Sequence, residues 1–323
     1  MERGNAGAAA APPAPVLLTR RYPWLGELAR FGGAMLFLWP SLLLFGGFIF
    51  YPLVKSVYLG FFVSDPFGRN PQFVGFDQYR EVLTSADLRK SLGVTFLFAL
   101  YTVPTGVVLG LVLALLANQR LRGALFFRTV FSSTIAASVA VAAVMWLMLL
   151  NPSAGFVNWV LGQFDLPRVN WLTDPIWKAS WDSGPALMAV SLTTIWMNIG
   201  FTTLILLAAL QNIPEELYES ARVDGASPWS ILRHVTLPML SPALLFVVVV
   251  GTIIAFQSFG QIHILTRGGP LDATNVIVYS IFRDVREYQQ YGEAAVKAIA
   301  LFLLVLTFTL IQLRFLERRV FYR

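Results

Sequence analysis

The chain contains no cysteine, which excludes a disulfide framework, a thiolate metal site and cysteine catalysis. Histidine is almost as scarce, with His234 and His263 the only two. The span order derived below places them on opposite sides of a membrane, so they share no metal. Charged residues make up 13% of the chain, against about a quarter in an average soluble domain. The phosphate-loop pattern GxxxxGK[ST], the kinase signatures, HExxH and GxSxG are all missing. The chain therefore reads as no enzyme, with no metal and no cofactor of its own.

In place of these features stand long uncharged runs in a chain of 323 residues that is 56% hydrophobic and 14% aromatic. A soluble core would need polar residues alternating with the apolar ones, so the solvent for much of this surface is lipid. Six runs approach the ~20 residues that cross a bilayer: 31–54, 92–117, 129–150, 185–210, 240–262 and 298–313. The last reaches full length when Ala294, Ala295 and Val296 are counted with a Lys297 that snorkels to the headgroups. Residues 1–30 read as a disordered cytoplasmic tail and pre-span segment, Ala/Pro-rich from Gly4 to Pro15, and 31–323 as the transmembrane domain. The first apolar run is too long for a signal peptide and no small-residue cleavage site follows it.

Six crossings put both termini on one side. That side, comprising the N-terminal tail, the second and fourth loops and the C-terminal tail, carries thirteen Lys/Arg and seven acids. The opposite loops carry ten and eleven, so the net charge of +6 lies on one face, which the positive-inside rule makes cytoplasmic. Nucleic acid is not needed to explain the basicity, because the basic clusters are short and not interleaved with aromatics.

As bounded, the six runs contain no Asp, Glu, Lys or Arg. An ion-coupled carrier usually keeps such a group in the membrane, so a carrier or channel is a remote alternative. Polar residues within the runs are neutral: Thr193, Thr194, Asn198, Thr202 and Thr203 in the fourth, Gln257, Ser258 and Gln261 in the fifth. A solute path here uses hydrogen bonds and aromatic faces. The Gly and Pro interruptions, including Gly110 and Gly251, read as close helix packing and kinks.

The segment 212–242 is the most informative. Pro214 fits a first helical position, Glu215 and Glu216 the first turn, and Gly225 a left-handed residue past the helix end. Ser227-Pro228 repeats the start signal, and a second helix from Trp229 to Val235 is expected to end before Leu237-Pro238. Leu217, Tyr218 and Ala221 form one apolar stripe, and Trp229, Leu232 and Val235 another, and such stripes need a partner. Four acids against two arginines suit a basic protein pocket better than an anionic leaflet.

Glu219-Ser220-Ala221, then Asp224-Gly225-Ala226, then Leu237-Pro238 and Pro242 resemble the EAA loop of ABC importer permeases, with Ser220 where that family usually has Ala. The resemblance implies the all-α, six-helix permease fold in a bacterial inner membrane, multi-pass with both termini cytoplasmic. It also implies a heterodimeric pore with a second permease subunit, two copies of an ABC ATPase that bind the ATP and Mg, and an extracytoplasmic solute-binding protein. On this basis the loop is the coupling helix pair, with Glu219 facing an ATPase arginine and Gly225 supplying the bend. Asp65-Pro66-Phe67-Gly68, Gln72 to Gly75, Asn151-Pro152, Gly268-Gly269-Pro270 and the tail Gln312 to Phe315 with Glu317 are similar to the glycerol-3-phosphate branch of carbohydrate permeases. That branch implies glycerol-3-phosphate or a glycerophosphodiester as solute, with an uncharged sugar or oligosaccharide as the alternative. Alignment with maltose-type relatives puts Thr194, Met197, Asn198, Phe201, Gln257 and Ser258 on the solute path. Gln261 and His263 lie just beyond, and Arg267 stands beside the Gly-Gly-Pro loop. Helix bridging accounts equally well for the neutral polar residues, and loop anchoring for His263 and Arg267.

Overall fold

A computed structural model describes residues 35–63, 72–119, 124–173 and 184–317. The N-terminal tail, the Asp65 to Gly68 motif and Arg120, Arg122, Arg318, Arg319 and Arg323 lie outside the described residues. Twelve helices and one short hairpin make up what is described. Among the described residues, 35–55 belong to one unit and those from Ser56 to a second.

The first helix, α1 (Met35–Leu59), is apolar throughout and is longer than the run 31–54 suggested at its far end, where it takes in Lys55. Lys55 Nζ stands 5.9 Å from the centroid of the Tyr51 ring one turn earlier. Gly46–Phe50 forms a π-helical turn within α1.

In the second unit, β1 (Phe62–Val63) pairs antiparallel with β2 (Gln72–Phe73). Helix α2 (Asp77–Thr84) follows, and Tyr79 donates to the Val57 carbonyl at 2.8 Å. Helix α3 (Ala86–Asn118) is the second span, started by a Ser85 cap that accepts from Leu88 N. Its Gly110 lets Thr202 of α7 (Gly184–Gln211) approach so closely that a Cβ there would meet Thr202 Cγ2 at 2.6 Å. The expectation of close helix packing at this glycine is met.

The third run is not one straight helix. It divides into α4 (Ala124–Ser133), a 3-10 turn at Thr134–Ala136 and α5 (Val139–Leu149), with a 111° bend between the halves. Ser138 caps the second half by accepting from Val141 N. Ser132, Ser133, Thr134 and Ser138 offer the chain a local alternative to helical bonding, which a count of apolar residues does not register. Gly200 of α7 permits the bend to lie close, because a Cβ there would collide with the Phe131 carbonyl.

Beyond α5 comes α6 (Phe156–Gln163), then α7, α8 (Glu215–Val223), α9 (Pro228–Phe256), α10 (Gly260–Leu265), α11 (Ile277–Arg286) and α12 (Tyr291–Glu317). The fifth run, drawn as 240–262, is therefore broken: α9 ends at Phe256, and Gln257 to Phe259 separate it from α10. Two apolar clusters hold the second unit together. One joins Phe98 of α3, Ala143 of α5, Leu187 and Val190 of α7, Ile262 of α10 and Tyr279 of α11. The other joins Ala114 and Ala117 of α3, Leu206 and Leu210 of α7 and Leu240 and Val247 of α9. The loop expected on the cytoplasmic side is rooted in this second cluster.

Candidate coupling and translocation sites

Pro214 caps α8 from outside the first turn, with ψ 135°, rather than occupying the first helical position. Glu215 and Glu216 stand in that first turn, where the helix dipole favours anions. At the other end Gly225 takes φ +73°, Ala226 N donates to Ala221 O at 2.9 Å and Gly225 N to Arg222 O at 3.0 Å. These bonds form a Schellman motif, which satisfies carbonyls the helix would leave unpaired. Nothing lies within 4 Å of where a Gly225 Cβ would stand, so backbone conformation alone demands the glycine.

Ser227 accepts from Ser230 N at 3.3 Å and starts α9. The second loop helix does not stop before Leu237-Pro238, contrary to the expectation from Pro238. It runs through a π-helical turn, Leu232–Thr236, directly into the fifth span. The wider turn lets Leu237 N bond Leu232 O and takes Pro238 into the first turn of the regular helix, where its missing N–H leaves no gap. The loop and span 5 are thus one continuous rod.

Leu217 and Tyr218 do not await an outside partner. They pack on the apolar cluster of α3, α7 and α9, and the Tyr218 hydroxyl lies 3.4 Å from Thr236 Oγ1. Glu219, Val223, Asp224 and Trp229 are exposed, Val223 at 87% and Trp229 at 70%. Ser220 is also exposed, and its hydroxyl donates to Leu217 O at 3.2 Å. The hairpin is therefore fastened on one side and bare on the other. Behind it, a cavity of about 760 Å³ is lined by residues including Asn118, Gln211, Tyr218, Arg222 and Thr236.

The proposed pathway residues fall into two groups. Met197, Asn198 and Phe201, successive on one face of α7, line a cavity of about 280 Å³ with Ile254 of α9 and Thr134, Ile135 and Ala137 of the third-span bend. Asn198 donates to Thr194 O at 2.8 Å and also faces a smaller gap with Thr102, Thr194 and Thr202. Among the described residues, every side chain around these spaces is neutral. The bend residues were not singled out from the sequence, although Ser132 to Ser138 interrupt an otherwise apolar run.

The remaining residues are elsewhere or otherwise engaged. Gln261 is buried and donates to Thr194 Oγ1 at 3.0 Å, which ties α10 to α7. Ser258 is buried and donates to Ile254 O, while Gln257 beside it is exposed. His263 packs in an aromatic group with its ring centroid 5.4 Å from Phe259, 5.9 Å from Tyr279 and 5.2 Å from Phe282. Arg267 is exposed, beside a loop in which Thr274 donates to Gly269 O at 2.8 Å.

Lys297 corrects the sequence reading most clearly. It does not snorkel: 3% of its side chain is exposed, and Nζ lies 2.7 Å from Asp87 Oδ2 and 2.7 Å from Asp284 Oδ2, donating also to Ser280 Oγ at 3.0 Å. Asp87 begins α3 and Asp284 belongs to α11, so one ammonium gathers three elements. Burial pushes the Asp284 carboxyl above the ordinary carboxylate range, and the Lys297 ammonium pulls it only part of the way back. In sequence Asp87 lies 210 positions from Lys297, and no local pattern joins it to the others.

Residues 90–322 match the family of binding-protein-dependent transport system inner membrane components. The sn-glycerol-3-phosphate transport system permease proteins UgpA of Pectobacterium atrosepticum and of Agrobacterium fabrum are each 33% identical, over 88% of this chain and 94% of theirs. A permease of the same name from Rhizobium meliloti is likewise 33% identical over the same shares. In fold the chain is similar to a bacterial ABC transporter involved in the import of the acidic polysaccharide alginate, with TM-score 0.75 and 24% identity over 92% of this chain and 99% of that one. The bacterial alginate transporter in complex with an alginate pentasaccharide-bound periplasmic protein gives TM-score 0.73, again at 24% identity, over 93% of this chain and 98% of that one.

Proposed function

The chain belongs to the family of binding-protein-dependent transport system inner membrane components, and from that premise we propose that it forms one half of the translocation pore of an ATP-driven importer for glycerol-3-phosphate or a glycerophosphodiester. The observation that carries the solute is the 33% identity, over nearly the whole chain, to permeases of sn-glycerol-3-phosphate transport. A second six-span permease completes the pore, two ATPase copies supply the energy, and a solute-binding protein delivers the cargo from outside. Both termini lie in the cytoplasm.

The mechanism rests on the hairpin of α8 and α9. Closure of the ATPase pair around ATP moves whatever is docked on its surface. The hairpin presents Glu219, Val223, Asp224 and Trp229 to such a surface while Leu217 and Tyr218 hold it to spans 2, 4 and 5. Because α9 runs without a break from Pro228 to Phe256, through the π turn and past Pro242, displacement at the loop is carried along the fifth span. The neutral cavity at Asn198 lies between that span, span 4 and the third-span bend, so rotation of α9 changes its shape directly. Glu219, Ser220, Ala221, Asp224, Gly225, Ala226, Leu237 and Pro238 are assigned to coupling, and Met197, Asn198 and Phe201 to the solute path. Gln261 is assigned to holding Thr194, and thereby α7, in place.

The neutral cavity wall supports one second reading, an uncharged sugar or oligosaccharide as solute. ATPase activity of the reconstituted four-subunit complex, measured with the binding protein and a panel of solutes, separates the two. Stimulation by glycerol-3-phosphate or its diesters and not by neutral oligosaccharides is expected, and the reverse order transfers the assignment to the second reading.

A further inference from the structure

Helix α6 has a face that nothing in the described chain covers. Phe156 and Trp159 stack on it with centroids 5.7 Å apart and are 58% and 60% exposed, and Gln163 continues the same face one turn on. Phe164 and Leu166, just past the helix end, are exposed as well. No charged residue occurs from Asn151 to Phe164.

Two features fix where this face points. The first is the turn that ends the third span: Asn151 Oδ1 accepts from Ser153 N, Ser153 Oγ and Ala154 N, and Gly155 N donates to Asn151 O at 2.9 Å. A Cβ on Gly155 would collide with the Asn151 carbonyl, so the reversal is tight and α6 begins directly beyond the end of α5. The second is Asn158 on the opposite face, 5% exposed. Its side chain donates to Pro152 O and Val169 O and accepts from Val169 N and Trp171 Nε1. Four bonds through one buried amide prevent the helix from rolling its aromatics inward.

Helix α5, at 11 residues, is about 16 Å long, roughly half the hydrocarbon thickness. Placed with the bend near the bilayer centre, a helix of this length ends at the membrane boundary. Its own exposed residues include Val141, Val144, Leu147 and Met148, apolar as a lipid-facing span requires. At that depth indole and phenyl rings are favoured, since the ring body meets acyl chain and the indole N–H meets water and headgroups. The helix itself carries no charge, and the nearest charged residues, Asp165 and Arg168, are exposed just past its end, where headgroups and water meet the edge of the aromatic face.

We propose that α6 is an interfacial anchor, with the Phe156, Trp159 and Gln163 face and the adjoining Phe164 and Leu166 seated in the lipid headgroup layer at the end of the third span. The lipid contact fixes the height of the 151–173 segment relative to the bilayer.

The absence of native cysteine allows one label to be placed cleanly on this chain. Gln163→Cys keeps every aromatic on the face, and Phe164→Cys reports the adjoining edge. Each is nitroxide-labelled in the assembled complex in lipid nanodiscs, with the unsubstituted complex treated identically as baseline. Accessibility to oxygen is compared with accessibility to a water-soluble nickel chelate. The expected result is a several-fold bias toward oxygen at both sites, unchanged on adding the binding protein. Water-like accessibility overturns the proposal. Shielding from both reagents, before or after the binding protein is added, also overturns it, because protein then covers the face. Both failures leave the importer reading untouched, since that reading is tested by solute-stimulated ATPase activity.

Discussion

Replacing Lys297 by Met tests the buried ion cluster with little change in side-chain volume. The ammonium is 3% exposed and lies 2.7 Å from each of two carboxylates. Its removal leaves both acids facing one another without a cation, and breaking a buried pair in this way costs about 3–5 kcal/mol. Asp87 is 46% exposed, so water relieves part of its share, and the lower end, about 3 kcal/mol, is appropriate. With ~2–4 °C per kcal/mol for a domain of this size, the midpoint of thermal unfolding should fall by roughly 6–12 °C. Removing the acids as well, in Lys297→Met/Asp87→Asn/Asp284→Asn, should recover most of that loss, because the uncompensated charges go with the cation. Thermal unfolding of the purified complex, followed by tryptophan emission, reads both values. An unchanged midpoint in Lys297→Met would refute the reasoning and return Lys297 to the headgroups.

The same cluster has a pH signature. Asp284, faced by Lys297, Asp87, Arg283 and Glu293, binds its proton more tightly in the fold than in the unfolded chain. The stability it contributes is fully present below the ordinary carboxylate range and is lost as pH rises through its elevated pKa. Asp284→Asn should flatten that part of the stability curve, and a slope identical to the parent's would count against the assignment. Gly225→Val should cost about 1–2 kcal/mol through its left-handed backbone alone, whereas Gly225→Asn should cost less; co-purification of the ATPase reads the effect on the loop. Asn198→Ala and Gln261→Ala should part company. The first should raise the solute concentration for half-maximal uptake several-fold, and the second should lower stability by about 1 kcal/mol with that concentration unchanged.

Much of this architecture is legible in the sequence, because lipid imposes length and apolarity on every span. The C-terminal end of α8 at Gly225 and the cap at Ser227 were written in short-range chemistry, and the start of α8 was off by one residue, with Pro214 as its cap. Where several residues compete for the same backbone, local signals fall short. Pro238 reads as a stop, yet a π turn absorbs it, since the continuous rod buries Leu240 and Val247 against spans 2 and 4. Ser132 to Ser138 read as part of a span until Gly200 is seen to admit the bend against α7. Lys297 looks like an end-of-helix snorkel because one of its acids, Asp87, comes from a remote part of the chain and the other, Asp284, from the preceding helix with a loop between. Of the residues proposed for the solute path, Met197, Asn198 and Phe201 came from the resemblance to maltose-type permeases, and the fold adds that the three line one cavity. The engagement of Gln261 by Thr194, and the enclosure of His263 by rings from α11 and the α9–α10 break, required the fold.

Coupling through the hairpin is the claim on which the functional account depends. Its most direct test is simultaneous measurement of labelled glycerol-3-phosphate uptake and ATP hydrolysis in proteoliposomes carrying the whole complex, with the parent chain and with Glu219→Ala. Glu219 is exposed, so the substitution should leave folding and membrane insertion intact. The account predicts uptake that requires both ATP and the binding protein in the parent, and a solute-to-ATP ratio at least several-fold lower in the variant. Uptake without ATP, or an unchanged ratio in Glu219→Ala, would contradict it.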